Sequence, residues 1–273
     1  MLLSQFINIV ANYTIKSMNY QMNSRIIRIC LPAVLFAAFV VSASASDCTD
    51  EPAPGVNWAG CDKQGVDLSG MDLSSAVFTR ANLENADFSG SRLKDADLNM
   101  SRLKNAKFDQ ARMIGARLVG VKAQGASFKK AVLDDATLSR SRFSSCDFSQ
   151  ARLRRASFYD SKLDNADFTQ ANLEAARLER SNLFATKFNE AVLDSASLES
   201  ADAETASFTG ASMVKTTLDE AVLREADFTA ANLTKASLRN ANIDDALFED
   251  AILGDTIWIQ YQRCRSGSIG KCR

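Results

Sequence analysis

The 273-residue sequence contains no histidine, the residue that most often serves proteins as a general base or a metal ligand. Its 12 glycines are isolated, so no glycine-rich loop that could hold a phosphate is present. Carboxylates are plentiful, but acid–base catalysis also needs a pocket that perturbs their pKa values. A filled rod, the fold that the five-residue repeat predicts, offers no such pocket, so we expect neither an enzyme nor a cofactor.

The sequence also lacks an apolar run long enough to span a bilayer comfortably, since the run Ile29–Val41 is too short. Arg25 and Arg28 precede this run, and Ala43-Ser44-Ala45 follows it. This order of charged, apolar and small residues is typical of a secretory signal peptide. We predict that residues 1–45 are removed after Ala45, and that the mature protein is periplasmic or secreted in a bacterium.

Two details refine this prediction. No lipobox precedes Cys48, so a lipid anchor is not expected. Residues 1–21 are an unusual extension before a signal peptide, and Met22 or Met18 is a better candidate for the translation start. Without residues 1–45, the chain keeps 29 basic and 33 acidic residues, so the mature protein is mildly acidic.

The dominant feature that is present is a five-residue period, which runs from Gly65 to Gly254 without insertion or deletion. Of the 38 positions from Leu68 to Leu253 whose numbers end in 3 or 8, here called centres, 33 are Leu or Phe. Two places before each centre lies a small-residue slot, and 27 of these 38 slots hold Ala. Neither slot ever holds a charge, which indicates a solenoid whose units bury their apolar side by stacking on neighbours.

A period of five is incompatible with a helix, because it drifts around the helix axis instead of holding one face. In an extended segment the small residue and the centre, two positions apart, face the same side, and the residue between them faces outward. The other two residues must turn the chain. Six glycines lie at the second turn position, where a turn favours them: Gly70, Gly90, Gly115, Gly120, Gly125 and Gly210.

Nine centres in succession, spaced by 20 residues, are Phe; we call them the Phe ladder: Phe88, Phe108, Phe128, Phe148, Phe168, Phe188, Phe208, Phe228 and Phe248. Residues one full turn apart stack in a parallel coil, so this interval predicts four pentapeptides per coil. The sequence thus predicts an all-β solenoid, a right-handed quadrilateral β-helix of about ten coils. Its repeat domain is 65–258, between an N-terminal cap segment at 46–64 and a C-terminal cap tail at 259–273.

The repeats resemble those of the pentapeptide repeat family, whose unit is a small residue, Asp or Asn, Leu or Phe, and two variable residues. Ala86-Asp87-Phe88-Ser89-Gly90 is one example. The flanks look like those of exported bacterial members, with Gly55-Val56-Asn57-Trp58 near the start and Gly267-Ser268-Ile269-Gly270-Lys271-Cys272 at the end. The resemblance implies the right-handed β-helix but little about function. The best understood branch mimics DNA and binds DNA gyrase, protecting bacteria from quinolones.

The cysteines and the residues near the two ends of the repeat domain indicate how its ends are capped. We expect Cys48–Cys61 and Cys264–Cys272 disulfides, which would tie down the short end segments, and no zinc site, because the two pairs lie at opposite ends of the rod. Cys146 lies in a small-residue slot and is expected to be a buried, inert thiol. Lys63 occupies a centre, which predicts a distorted first turn. Leu247, Ile252 and Ile257 face outward in the last turns, where the tail is expected to cover them.

Surface charge is divided along the rod. From Arg92 to Lys162 there are 16 basic and 7 acidic residues, and from Glu190 to Asp255 there are 4 basic and 14 acidic residues. Four cations occupy the same outward slot in successive turns and form the basic stripe: Arg102, Lys122, Arg142 and Lys162. Arg92, Arg112 and Arg152 lie on the adjacent side. These seven residues together are a candidate anion-binding surface, since like charges stacked side by side are unfavourable; the alternative is a solvated face balanced by counter-charges at the corners.

Two functions remain open. The first is a non-enzymatic, exported scaffold that binds another protein or an anionic component of the bacterial envelope, with no transmembrane anchor after cleavage. The second is a DNA mimic directed at gyrase. The signal peptide, the basic half of the surface and the lack of a C-terminal dimerisation helix weigh against the second. Nucleic acid is not an expected partner.

Overall fold

Residues 47–273 form a continuous parallel coil with a folded-back C-terminal tail. This is a computed structural model, and it describes residues 47–273; the predicted signal peptide at 1–45 and the Met22 start lie outside them. Thirty-seven parallel bridges join residues 20 apart, from Asn57–Val77 to Ser237–Ile257. Each bridge spans a single residue, so these described residues contain no helix and no continuous strand. We call residues related by this 20-residue interval a row.

Each pentapeptide is held by hydrogen bonds to the coils on both sides. The centre donates its N–H to the coil after it, as Phe88 does to the Lys107 carbonyl at 2.7 Å. The outward residue donates to the coil before it, as Lys107 does to the Ala86 carbonyl at 2.9 Å. The centre and the small slot both point inward, and both are buried along almost the whole coil. The five-residue pattern therefore encodes both the core and the backbone pairing.

A turn follows every centre, and its second residue has a positive φ. Among the described residues 32 of these corner residues are not glycine, and they include Ala175 (φ 56°) and Ala185 (φ 53°). The small residue that follows donates its N–H to the preceding centre, as Ser91 does to the Phe88 carbonyl at 3.0 Å. Counted from the centre, the positive-φ residue is the third of the four residues of the turn, and a positive φ at that place is the type II arrangement. Glycine is thus permitted at these corners but not required.

The N–H of the first turn residue has no carbonyl partner in the coil, and the outward side chain often supplies one. The Asp87 carboxylate accepts from the Ser89 N–H at 2.9 Å, and Asp167 accepts from the Thr169 N–H at 2.8 Å. Asp and Asn side chains bond readily to the backbone two residues on. This local bond explains why Asp and Asn recur at the outward slot.

The Phe ladder forms the longest aromatic stack of the core. From Phe88 to Phe248, neighbouring rings lie 4.7–5.1 Å apart between centroids, with interplanar angles of 2–9°. Phe128, Phe143, Phe148, Phe158 and Phe168 add edge-to-face contacts across the axis. Aromatic pairs favour offset-stacked and edge-to-face geometries over a face-to-face sandwich, and every ring of the ladder except Phe248 is fully buried in the core.

The coil begins earlier than the sequence boundary at residue 65. Bridges start at Asn57, and Gly55 and Gly60 already adopt the corner conformation with φ of 73° and 71°. The prediction of a distorted first turn was wrong, because Lys63 keeps the regular backbone bond to the Asn82 carbonyl at 2.8 Å. Its side chain avoids the core: its Nζ lies 3.8 Å above the Trp58 ring, a cation–π contact.

The C-terminal tail folds back antiparallel on the last coil. Ile257 pairs with Arg263 and Ile252 with Ile269. The expectation that the tail covers the outward apolar residues was wrong for two of the three: Leu247 is 57% exposed and Ile252 is 44% exposed. The tail pairs with the backbone edge of the coil, not with its outer surface, so these side chains keep facing solvent.

Candidate binding surface

The basic stripe is a row of the coil. Parallel bridges join Arg102 to Lys122, Lys122 to Arg142 and Arg142 to Lys162. All four side chains are exposed. Stacked residues of neighbouring coils lie about 4.8 Å apart, so the bridges hold the four cations in one line along the axis.

The four cations differ in how well they are neutralised. Arg102 binds Glu84, with its Nε 2.8 Å from the carboxylate and a second guanidinium nitrogen at 2.7 Å. Lys122, Arg142 and Lys162 make no ion pair with any residue of 47–273. Three adjacent cations of the stripe are therefore available to a ligand.

The second set of arginines, on the adjacent row, is mostly paired. Arg92 lies 3.6 Å from the Asp72 carboxylate, and Arg152 binds the buried Asp134. Val132 interrupts this row between Arg112 and Arg152. Arg112 makes no ion pair within the described part of the chain, so this row offers one isolated cation.

Sequence reasoning missed the neutralisation of Arg102 and Arg152 because their counter-charges come from another slot. Glu84 lies at a turn position of the previous coil, 18 residues before Arg102. Arg155 meets Asp135 through two bonds of 2.7 Å, and this contact lowers the pKa of the Asp135 carboxyl. The Arg102–Glu84 pair joins an outward position to a corner of the preceding coil, which a search for charges at one slot does not detect. The Arg155–Asp135 pair joins the same corner position in two consecutive coils.

The predicted cysteine pairs are brought together at the ends of the coil. The Cα atoms of Cys48 and Cys61 lie 5.5 Å apart, and those of Cys264 and Cys272 lie 4.9 Å apart. Both distances lie in the range of a disulfide. Cys146 is buried, and burial raises the pKa of its thiol to about 12, so it is protonated at neutral pH and is a poor nucleophile.

Beyond the stripe, the described surface has several concavities, and one of them is lined by Tyr159, Arg177, Glu179 and neighbouring residues. Within residues 47–273 no group of three or more His, Cys, Asp or Glu side chains is placed to hold a metal ion. Nor does this part of the chain contain a helix that could cross a membrane.

A family model of pentapeptide repeats matches the chain in eight copies within residues 64–250. The chain belongs to the pentapeptide repeat family. Its coil is accordingly the right-handed β-helical solenoid of that family. Members are generally structural or binding proteins. A comparison with curated proteins finds no match.

Several solved structures are similar to the chain. QnrB1, a plasmid-mediated fluoroquinolone resistance protein, is 18% identical, with 68% of this chain and 92% of that chain covered and a TM-score of 0.45. HetL from the cyanobacterium Nostoc sp. strain PCC 7120, involved in the regulation of heterocyst differentiation, is 22% identical, with 77% and 94% covered and a TM-score of 0.26. A pentapeptide repeat protein of the Arabidopsis thaliana thylakoid lumen is 26% identical, with 47% and 68% covered and a TM-score of 0.21.

Proposed function

We propose that this pentapeptide repeat protein is a non-enzymatic binding rod whose basic stripe holds an extended anion. The observation that carries the proposal is the line of Lys122, Arg142 and Lys162. These cations occupy consecutive positions of one row, and none is neutralised by a residue of 47–273. A sulfated or phosphorylated envelope polysaccharide has the matching chemistry, because it presents anionic groups along an extended chain.

The proposal includes a four-sided cross-section with about ten coils. A pairing interval of 20 residues and a turn every five residues support it. On a flat side, the stripe would present its charges in one direction, and a linear ligand could contact all of them at once. A rounder coil would spread the same charges over a wider angle.

Electrostatics favours a ligand over a bare cationic line. Two unit charges 5 Å apart repel by about 0.8 kcal/mol in water, and the stripe holds three such cations without counter-charges. Arg102 shows that the fold can neutralise this row with a corner carboxylate. The next three coils place no acidic side chain within ion-pair distance of the cations among the described residues. An anion binding there would relieve the repulsion.

We further propose that the protein is exported and that both cysteine pairs are disulfides. The signal-like order in residues 1–45 and the bonding distances of the two pairs support this. Gyrase-directed DNA mimicry is the weaker alternative, because the exposed stripe would repel a surface built to accept DNA. That alternative would require an evenly acidic face, and the described residues from 92 to 162 carry an excess of cations.

Binding to heparin fragments tests the proposed function. The variant Lys122→Gln, Arg142→Gln, Lys162→Gln should lose at least tenfold in affinity. A matched control, Arg155→Gln, Arg224→Gln, Arg239→Gln, removes the same charge at positions that are ion-paired, and it should lose much less. Equal losses in both variants would show that only net charge matters, and unchanged binding in the first would exclude the stripe.

A further inference from the structure

Part of the backbone edge of the last coil, Ala241–Asp250, is not paired with another segment of residues 47–273. We call it the open edge. One coil earlier, Leu223 and Phe228 donate their N–H groups to the carbonyls of Asn242 and Leu247 at 2.7 and 2.8 Å. The equivalent N–H groups of Ile243, Asp245 and Phe248 have no hydrogen-bond partner among residues 47–273, and neither have the carbonyls of Ala241 and Ala246. An exposed edge of this kind is a template for pairing with another chain.

The side chains at the open edge are also incompletely covered. Phe228 is fully buried, whereas Phe248, the last ring of the ladder, is only partly buried, and so is Ile243. Leu247 is 57% exposed beside them. An added segment would therefore gain apolar contact as well as main-chain hydrogen bonds.

The tail shows what kind of segment this end of the coil accepts. It pairs antiparallel with the two neighbouring rows through Ile257–Arg263 and Ile252–Ile269. Residues 259–273 contain no Asp or Glu and four basic residues: Arg263, Arg265, Lys271 and Arg273. The covered half of the edge is thus occupied by an extended, basic segment with an apolar residue at a pairing position.

The open half has the complementary charge. Asp244, Asp245, Glu249 and Asp250 surround it, all exposed, and none forms an ion pair with a described residue. Pairing of two open edges would bring eight carboxylates together, so electrostatics opposes a second copy of this chain as the occupant. A basic segment would neutralise the same charges.

We infer that the open edge docks an extended, basic segment of a partner protein by antiparallel β-augmentation, the mode in which the tail pairs with the other half. Main-chain bonds to Ile243, Asp245 and Phe248 would supply affinity. The acidic rim would select basic side chains, and Leu247 would contact an apolar one. This inference does not depend on the anion-binding stripe, which lies on a different part of the surface.

Amide exchange measured by NMR on the full chain tests the inference. The probe is a synthetic peptide of residues Ile259–Gly270 with serine in place of Cys264, because this sequence already pairs with the coil. On its addition, exchange at Ile243, Asp245 and Phe248 should slow at least tenfold. The Leu253 N–H, which donates to the Ser268 carbonyl at 2.9 Å, should be slow before and after.

Two controls separate pairing from charge. A peptide methylated at alternate backbone nitrogens keeps the side chains and should not protect the three amides. The variant Asp244→Asn, Asp245→Asn, Glu249→Gln, Asp250→Asn should bind the parent peptide at least tenfold more weakly. Equal binding of the methylated peptide would overturn the inference, as would a lack of protection at millimolar peptide. Concentration-dependent protection without peptide would also overturn it, by showing that a second copy occupies the edge.

Discussion

The rings of Phe168 and Phe188 stack with their centroids 5.1 Å apart and their planes 9° from parallel. Phe168 also stacks on Phe148 at 4.8 Å and meets Phe158 edge-to-face at 5.7 Å. One side chain therefore joins three coils. In a globular core aromatic side chains are usually scattered, whereas here each ring contacts the next along the axis.

Phe168→Ala should destabilise the fold by about 3–5 kcal/mol, the usual cost of removing a buried Phe. The matched outward change Asp167→Asn should cost less than about 0.5 kcal/mol, because an amide oxygen can still accept from the Thr169 N–H. Urea unfolding of both variants measures the difference. Similar losses in the two variants would contradict the inward assignment of the centres.

The strict repeat made the inward slots and the coil interval predictable. Phe168 and Ala166 lie where the period places them because one residue's shift would move every apolar side chain outward. The corners were less predictable. Six glycines indicated the turn position, but Ala175 and Ala185 adopt the same positive φ without a glycine, since the coil's hydrogen bonds impose it.

The charge pairing and the ends could not be predicted in the same way. The Arg102–Glu84 contact joins a side position to a corner position of the preceding coil, so it follows from rotamers and not from the period. Lys63 breaks the centre pattern, yet its flexible chain lets the ammonium group rise onto Trp58. Leu247 stays exposed because the tail pairs with only half of the edge.

Corner strain gives a second prediction. Ala175 has a φ of 56°, a conformation that costs a residue with a Cβ roughly 1–2 kcal/mol, whereas glycine adopts it freely. Glycine also raises the entropy of the unfolded chain by about 0.4–1 kcal/mol. Ala175→Gly should therefore stabilise the protein by about 0.5 kcal/mol.

Its neighbour provides the control. Ala176 is buried in a small-residue slot, so Ala176→Gly loses a buried methyl group and gains no relief of strain. It should destabilise by about 1 kcal/mol or more. Thermal unfolding should show the melting temperatures of the two variants moving in opposite directions; a lower value for Ala175→Gly would refute the idea that the corners are strained.

The Cys146 thiol should make the free energy of unfolding fall as the pH becomes alkaline. Burial raises the pKa of its thiol from its ordinary value near 9 to about 12, so the folded state holds a proton that the unfolded state releases. The stability from this group is complete below pH 9 and is lost as pH rises toward 12. Between pH 9 and 10.5 the loss should be on the order of 2 kcal/mol.

Cys146→Ala isolates this contribution, since Ala is the commonest residue of the slot. Unfolding measured at pH 8, 9.5 and 10.5 should show a flatter decline for the variant than for the parent. In the folded parent the thiol should also resist alkylation at pH 8, and it should react after denaturation. Parallel pH profiles would mean that the buried thiol does not titrate as expected.

Export can be tested by mass. If residues 1–45 form a signal peptide, native material should begin at Ser46. Reduction and alkylation of that material should label four additional cysteines, as two disulfides require, with Cys146 labelled only after unfolding. A chain that retains residues 1–45, or that carries five free thiols, would remove the case for an exported protein.

The stripe should act through charge alone, and salt is the direct measure of this. Lys122, Arg142 and Lys162 are exposed and lie about 4.8 Å apart, so each contact with an anion is weak and screened within about 8 Å at physiological salt. Binding of a polyanion that displaces counterions at three cations should weaken with salt at a log–log slope of roughly −2 to −3. Arg102→Gln should leave that slope nearly unchanged, because Glu84 already neutralises Arg102. Lys122→Gln should reduce the magnitude of the slope by about one unit. If neither substitution changes the slope, the anion binds elsewhere on the rod.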